Sequence, residues 1–124
     1  MAVDAVGDYD DNNVFARILR GEIPCRKVHE DEHVLAFHDI NPQAPVHVLV
    51  IPKAPFVSMA DFMDSANSDQ IAGFWRGVGA VARLLNLAPD GFRLLSNAGR
   101  NAHQEVPHMH VHLFAGRDLG PMLG

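Results

Sequence analysis

Three histidines at alternate positions, His108, His110 and His112, lie in the stretch PHMHVHLF near the end of the chain. The chain has eight histidines in 124 residues, so three within five positions form a concentration. Met109, Val111 and Leu113 fill the positions between and after them, and apolar–polar alternation is the period of a β-strand. The spacing predicts three imidazoles on one strand face, with the other face entering a core. Neutral imidazole is a nucleophile, and its free pKa of about 6.5 leaves most of it unprotonated at neutral pH. A ring two residues away can bind a phosphoryl oxygen or donate a proton to a leaving group. The preceding loop SNAGRNAHQEVP adds Ser96, Asn97 and Gln104 as donors toward charge spread over phosphoryl oxygens. Two other readings stand beside phosphoryl chemistry. One is a strand face that is merely packed or solvated. The other is a metal site, in which a His-x-His pair and a third ligand from elsewhere hold an ion. The outer rings, about 13 Å apart at Cα, cannot share one.

The rest of the chain supplies elements to position such a face. Residues 1–12 hold four aspartates and show no periodicity, so they are expected to form a flexible acidic arm with nothing to pack on. Residues 13–124 are expected to form one domain. NNVFARILRGEIP predicts a short helix, capped by Asn12 or Asn13, with Phe15, Ile18 and Leu19 on its apolar face. CRKVHE and HVLAFHDI flank the turn formers Asp31 and Glu32 as a hairpin. VHVLVIP is a β-branched run closed by Pro52, which suits an interior strand. Ala54 to Ser68 is irregular or partly helical. From Asn67 the stripe Ile71, Phe74, Trp75, Val78, Val81, Ala82 and Leu85 predicts a helix of about five turns, and Asn67 with Gln70 resembles a capping box. FRLLSN and HMHVHLFAG complete the strands. The expected fold is α+β: a mainly antiparallel five-stranded sheet with one long and one short helix. Phe74, Trp75 and Val78 are more bulk than a small sheet face needs, a hint of dimerisation.

Bulk properties narrow the function classes. The net charge of −5 and scattered basic residues argue against binding a nucleic-acid backbone. No apolar run approaches the ~20 residues of a membrane helix, and the acidic N-terminus is unlike a signal peptide. The single cysteine, Cys25, excludes an internal disulfide and a Cys-x-x-Cys clasp. These features favour the cytoplasm.

PHMHVHLF also fits His-φ-His-φ-His-φ-φ, where φ is apolar, and so resembles the signature of the histidine-triad (HIT) family of nucleotide hydrolases and transferases. FARILRGEIPCRKVHEDEHVLAFHDINPQAPVHVLVIPK is similar to its Hint branch, and GRDLGPML is similar to bacterial members; the likeness spans residues 13–124. The resemblance implies a purine nucleoside phosphoramidase that uses no metal or cofactor, acts on AMP or GMP derivatives and works as a homodimer. It implies that His110 attacks phosphorus and becomes a nucleotidyl-histidine, while His112 contacts phosphate and His108 orients the nucleophile. His47 would support them. Asp39 would take the ribose hydroxyls, and Phe15, Ile18, Phe37, Ile40 and Leu49 would line a slot for the base. Asn97 and Gln104 would be amide donors near the phosphate. Without the resemblance, His47 is equally a packed strand histidine, Asp39 a turn residue before Asn41-Pro42, and the apolar five are core. Ala102-His103 departs from the glycine of many members, Glu105 from the serine of some, and no tryptophan follows the triad strand. The alternatives are a dinucleoside polyphosphate hydrolase of the same family and a nucleotide- or zinc-binding adaptor with weak catalysis.

Overall fold

Alternation along the strands produces two covered sheet faces in the computed structural model, which describes residues 2–123. The strands are β1 (Lys27–Glu30), β2 (Val34–His38), β3 (Val46–Pro52), β4 (Arg93–Leu95) and β5 (Val111–Ala115). They lie in the order β1-β2-β3-β5-β4, and every neighbouring pair is antiparallel. The expected α+β class and five-stranded sheet are therefore present. Asp31 closes the predicted hairpin, its carboxylate accepting from the His33 and Val34 N–H groups at 2.8 and 2.9 Å. β3 is interior, as its β-branched composition suggested.

Among the described residues three α-helices, one more than expected, cover the sheet: α1 (Val14–Leu19), α2 (Met59–Ser65) and α3 (Ser68–Leu84). Asn13 caps α1 by accepting the Ala16 N–H at 2.9 Å. The capping box of α3 is complete, with Asn67 and Gln70 each accepting from the other's main chain. Within the stretch expected to be irregular or partly helical, Ser58 caps α2 and Phe62 enters the core. α3 crosses β1, β2 and β3. A methyl at Gly77 would stand 2.5 Å from Val34 Cγ2, so the absent Cβ is what lets this helix approach the sheet. Phe74, Val78, Val81 and Ala82 are buried, but Ile71 and Trp75 are 36% and 41% exposed. The buried stripe is thus narrower than the apolar one. Among the described residues no helix is long and apolar enough to cross a membrane.

On the α3 face, Val34, Ala36, Val48, Val50, Val111 and Leu113 join the helix residues in one apolar cluster. On the opposite face, Leu35, Phe37, Leu49 and Ile51 pack with Phe15 of α1. Antiparallel partners share a face, and the register sets Leu49 opposite His112 and His47 opposite Phe114. His47 and His112 therefore belong to the α1 face.

Two expectations need correction. β5 begins only at Val111, so His108 and His110 precede the ladder rather than lying within it. The Met109 N–H donates to the Phe56 carbonyl at 2.7 Å, outside any strand pairing, after Pro107, which has no N–H to offer. Met109 nonetheless enters the α3-side core, so the alternation continues through the irregular stretch. The second correction concerns the arm. It forms no helix or strand, but it does have contacts: the Ser58 hydroxyl donates to the Ala5 carbonyl at 2.7 Å, and Arg20 Nη1 donates to the Asp11 carbonyl at 2.8 Å. The arm's carbonyls are thus held by the side chains of two cap residues, Arg20 after α1 and Ser58 before α2.

Candidate active site

The site forms where the end of β2, the start of β3 and the entry to β5 meet beneath α1. His110 is buried, and the Ser96 hydroxyl pins its main chain by donating to its carbonyl at 2.7 Å. His110 Nδ1 is 2.7 Å from the His108 carbonyl. A carbonyl only accepts, so Nδ1 carries the hydrogen and Nε2 presents a bare lone pair. The Phe15 ring meets this imidazole edge-on at 5.0 Å between centroids. Burial lowers the pKa of His110, partly offset by its bond to the His108 carbonyl.

The same reasoning assigns the other rings. The Gln43 N–H donates to His47 Nδ1 at 3.1 Å, so His47 holds its hydrogen on Nε2. That nitrogen is 2.9 Å from His112 Nδ1 and 3.4 Å from the Asp39 carboxylate. His112 Nδ1 accepts, which leaves its Nε2–H free to donate elsewhere. Burial pushes the His112 pKa down to about 4, with His110 and His47 adding to the effect. Burial also lowers the pKa of His47, against the pull of Asp39. His108 has no exposed surface; its Nε2–H donates to the Pro52 carbonyl at 2.8 Å, and burial pushes its pKa down to about 4. All four imidazoles are neutral at pH 7. The His110 and His112 rings stand 5.1 Å apart, a bare nitrogen beside an N–H donor. That pairing can attack an electrophile and stabilise an oxygen on it at once.

The remaining predicted residues fall into three groups. Phe15, Phe37 and Leu49 are buried together with half-buried Ile18 against them, whereas Ile40 is 91% exposed at the rim. Asp39 serves a turn, accepting the Asn41 N–H at 2.8 Å, and also faces His47. Asn97 is half-buried in the segment after β4. Gln104 is turned into the body: its carbonyl oxygen takes the Gly99 N–H, and its amide nitrogen donates to the Val57 and Val106 carbonyls. Three participants were not foreseen. Gln43 sets the His47 tautomer, Phe114 stacks parallel on His112 at 5.7 Å, and the Tyr9 hydroxyl lies 2.6 Å from His108 Nδ1. Continuing the period of two from His112 would have found Phe114. Tyr9, as the one tyrosine in an acidic arm, offered only its rarity.

Asp39, His47 and His112 bring ligating atoms within 4.8 Å of one another and can in principle hold a metal ion. This set uses one triad histidine rather than the anticipated His-x-His pair. An ion bound there through His112 Nδ1 would replace that ring's hydrogen bond to His47 and leave His110 outside.

Comparison with known proteins finds relatives over most of the chain. The HIT domain family profile matches residues 20–119. An uncharacterised 13.2 kDa HIT-like protein of Azospirillum brasilense is 65% identical over 115 residues, 93% of this chain and 94% of that one. The purine nucleoside phosphoramidase of Escherichia coli K12 is 44% identical over 114 residues, 91% of this chain and 94% of that one. Among solved structures, a HIT family hydrolase from Clostridium thermocellum superposes with a TM-score of 0.83 at 39% identity, covering 92% of this chain and 98% of its own. With its antiparallel sheet in the order β1-β2-β3-β5-β4 and this match over most of its length, the chain belongs to the HIT domain family.

Proposed function

We propose that this protein is a nucleotide hydrolase that cleaves the P–N bond of purine nucleoside phosphoramidates through a covalent nucleotidyl-His110. The bare Nε2 of His110 carries the proposal, because a nucleophilic imidazole needs its other N–H already engaged, here by the His108 carbonyl at 2.7 Å. In the first step the Nε2 lone pair forms a bond to the α-phosphorus. The P–N bond breaks, and the amine leaves with that electron pair and takes up a proton. The His112 Nε2–H donates to a phosphoryl oxygen as charge builds on it. Water then attacks the phosphorus, the P–Nε2 bond breaks, and the nucleoside monophosphate departs as the water's proton is released. His47 holds the His112 tautomer, Asp39 takes the ribose hydroxyls, and Asn97 donates to the phosphate. Gln104 supports the loop from inside.

The base lies against Phe15, Ile18, Phe37 and Leu49 with Ile40 at the rim, an apolar clamp that reads ring faces and so favours purines without fixing one. The relative from Escherichia coli, 44% identical and named a purine nucleoside phosphoramidase, supports the same substrate class. The reaction needs no cofactor. The working unit is a homodimer, a reading that fits the edge position of β4 and the 39% exposure of both Phe92 and Leu94. Light scattering should give twice the 13.6 kDa chain mass.

The decisive test mixes enzyme with an adenosine phosphoramidate and quenches in alkali, where the phosphoimidazole bond survives. A mass gain of one nucleotidyl group on His110 is expected, with turnover unaffected by a chelator. Mapping the adduct to another residue, or finding none during confirmed turnover, would overturn the mechanism. Faster turnover of diadenosine polyphosphate than of the phosphoramidate would reassign the substrate to a phosphoanhydride.

A further inference from the structure

Tyr9 is the one tyrosine of the chain, and the chemistry above does not use it. Its hydroxyl lies 2.6 Å from His108 Nδ1, and its ring meets the imidazole edge-on with centroids 5.6 Å apart. The far side of the ring settles which atom donates. His108 Nε2 holds the hydrogen it gives to the Pro52 carbonyl, so Nδ1 is a lone pair and the Tyr9 hydroxyl donates. Burial raises the Tyr9 pKa above its ordinary value of 10, which keeps that O–H through the neutral range.

The arm fastens on both sides of Tyr9. Beyond it, the Asp10 carbonyl accepts from the Asn13 main chain and side chain at 3.2 and 2.7 Å, a link to the cap of α1. Before it, the fully buried Ser58 hydroxyl at the cap of α2 holds the Ala5 carbonyl at 2.7 Å. With both nitrogens bound, the His108 ring cannot turn. Its own carbonyl is the group that engages His110 Nδ1–H at 2.7 Å. A hydrogen bond in the arm is therefore two links from the bare nitrogen of His110.

We infer that Tyr9 is a positioning residue of the triad: its O–H holds His108 in one tautomer and one orientation, and arm residues 5–10 form the strap that presents it. This rests on His110 acting as the nucleophile. The triad is thus completed from outside the span matched by the HIT profile, residues 20–119.

The test is Tyr9→Phe in the full chain, which keeps the ring packed and deletes only the O–H. Loss of one hydrogen bond to a buried ring should lower kcat about tenfold. KM should hold, because Tyr9 touches no substrate. In 15N spectra of histidine-labelled protein, the His108 Nδ1 resonance should move downfield as its lone pair loses the donor, while Nε2 keeps its hydrogen. Ser58→Ala, which loosens the strap but leaves Tyr9, should give a smaller drop in kcat in the same direction. An unchanged kcat in Tyr9→Phe, or a change confined to KM, would overturn the inference. So would a His108 Nδ1 resonance that does not move. If the wild type turns over no nucleoside phosphoramidate, the functional proposal is what fails, and the 15N shift alone then decides the part played by Tyr9.

Discussion

On the α3 side of the sheet, β2, β3 and β5 turn valine, alanine and leucine against Phe62 and Phe74. On the α1 side the same three strands, or the turns beside them, contribute His47, His110, His112 and Asp39, of which the first two are buried and the other two half-buried. Both faces are interiors built on one period of two. They differ in what burial requires. An apolar side chain needs only close neighbours, so the α3 face tolerates any arrangement of similar volume. An imidazole needs a partner for each nitrogen, so the α1 face fixes tautomers as well as positions. Packing on one face gives stability, and on the other it gives a nitrogen prepared to react.

A pair of truncations tests that division most directly. His110→Ala should lower kcat by roughly three orders of magnitude or more, since loss of a covalent nucleophile leaves only binding and the donors. Nucleotide binding should survive. Phe74→Ala should cost about 3–5 kcal/mol in urea unfolding, with its transfer loss and cavity both on the α3 face. At temperatures where it stays folded, its kcat should match the wild type. A Phe74→Ala enzyme that is stable but inactive would show that the faces are coupled.

Acid should attack one face and spare the other. His108 and His112 titrate at about 4 in the folded chain, against about 6.5 when unfolded. Between those values the unfolded chain binds more protons, so falling pH favours unfolding. The stabilisation is complete above about 6.5 and is lost as pH falls toward and through 4. Each ring contributes at most about 1.4 kcal/mol per pH unit, and half-buried His112 less because solvent screens it. Glu30, held to about 2 by Lys27 and then Lys53, loses its contribution only as pH falls from the ordinary carboxylate value toward 2, below a series from pH 7 to 5. Urea midpoints at pH 7, 6 and 5 should therefore fall steadily. A flat series would mean that the rings are not held neutral by burial.

The sheet was legible because its signals are local. The β-branched run VHVLVIP, the Asp31 turn and the Asn67–Gln70 box all act within a few residues, and each lies where its pattern indicated. The face shared by His47 and His112 depends on the pairing register of β3 with β5, which the period of two does not give. What escaped reading depends on distant partners. The bare nitrogen of His110 is set by a main-chain carbonyl, the tautomer of His47 by the Gln43 N–H, and the burial of His108 by Pro52 and Tyr9. No side-chain pattern encodes a carbonyl's direction. The arm looked structureless for a similar reason: its own carbonyls are the groups that Ser58 and Arg20 hold, and any residue there would offer them. Trp75, 41% exposed, fits the expectation that the α3 stripe carries more bulk than the sheet face needs, although periodicity alone could not tell which of its residues would stay uncovered.

Asp39 stands where the two kinds of interior meet, and it should show the smallest effect. One carboxylate oxygen closes a turn on the Asn41 N–H at 2.8 Å, while the other faces His47 Nε2 at 3.4 Å. Asp39→Ala would remove the turn and the charge together, so Asp39→Asn is the cleaner change: its amide oxygen can still accept from Asn41. Losing charge-assisted bonds to the ribose should weaken nucleoside binding by about 1–3 kcal/mol, with the melting temperature nearly unchanged. Ribonucleoside and 2′,3′-dideoxynucleoside monophosphates compared by calorimetry isolate the contribution. The wild type should prefer the ribonucleotide by that margin, and Asp39→Asn should bind both alike. The same variant tests the metal-ligand set of Asp39, His47 and His112, because a carboxamide is a far poorer ligand than a carboxylate. A variant that regains wild-type turnover only with added zinc would make Asp39 a ligand. Equal ribose discrimination in both proteins would leave it a turn residue.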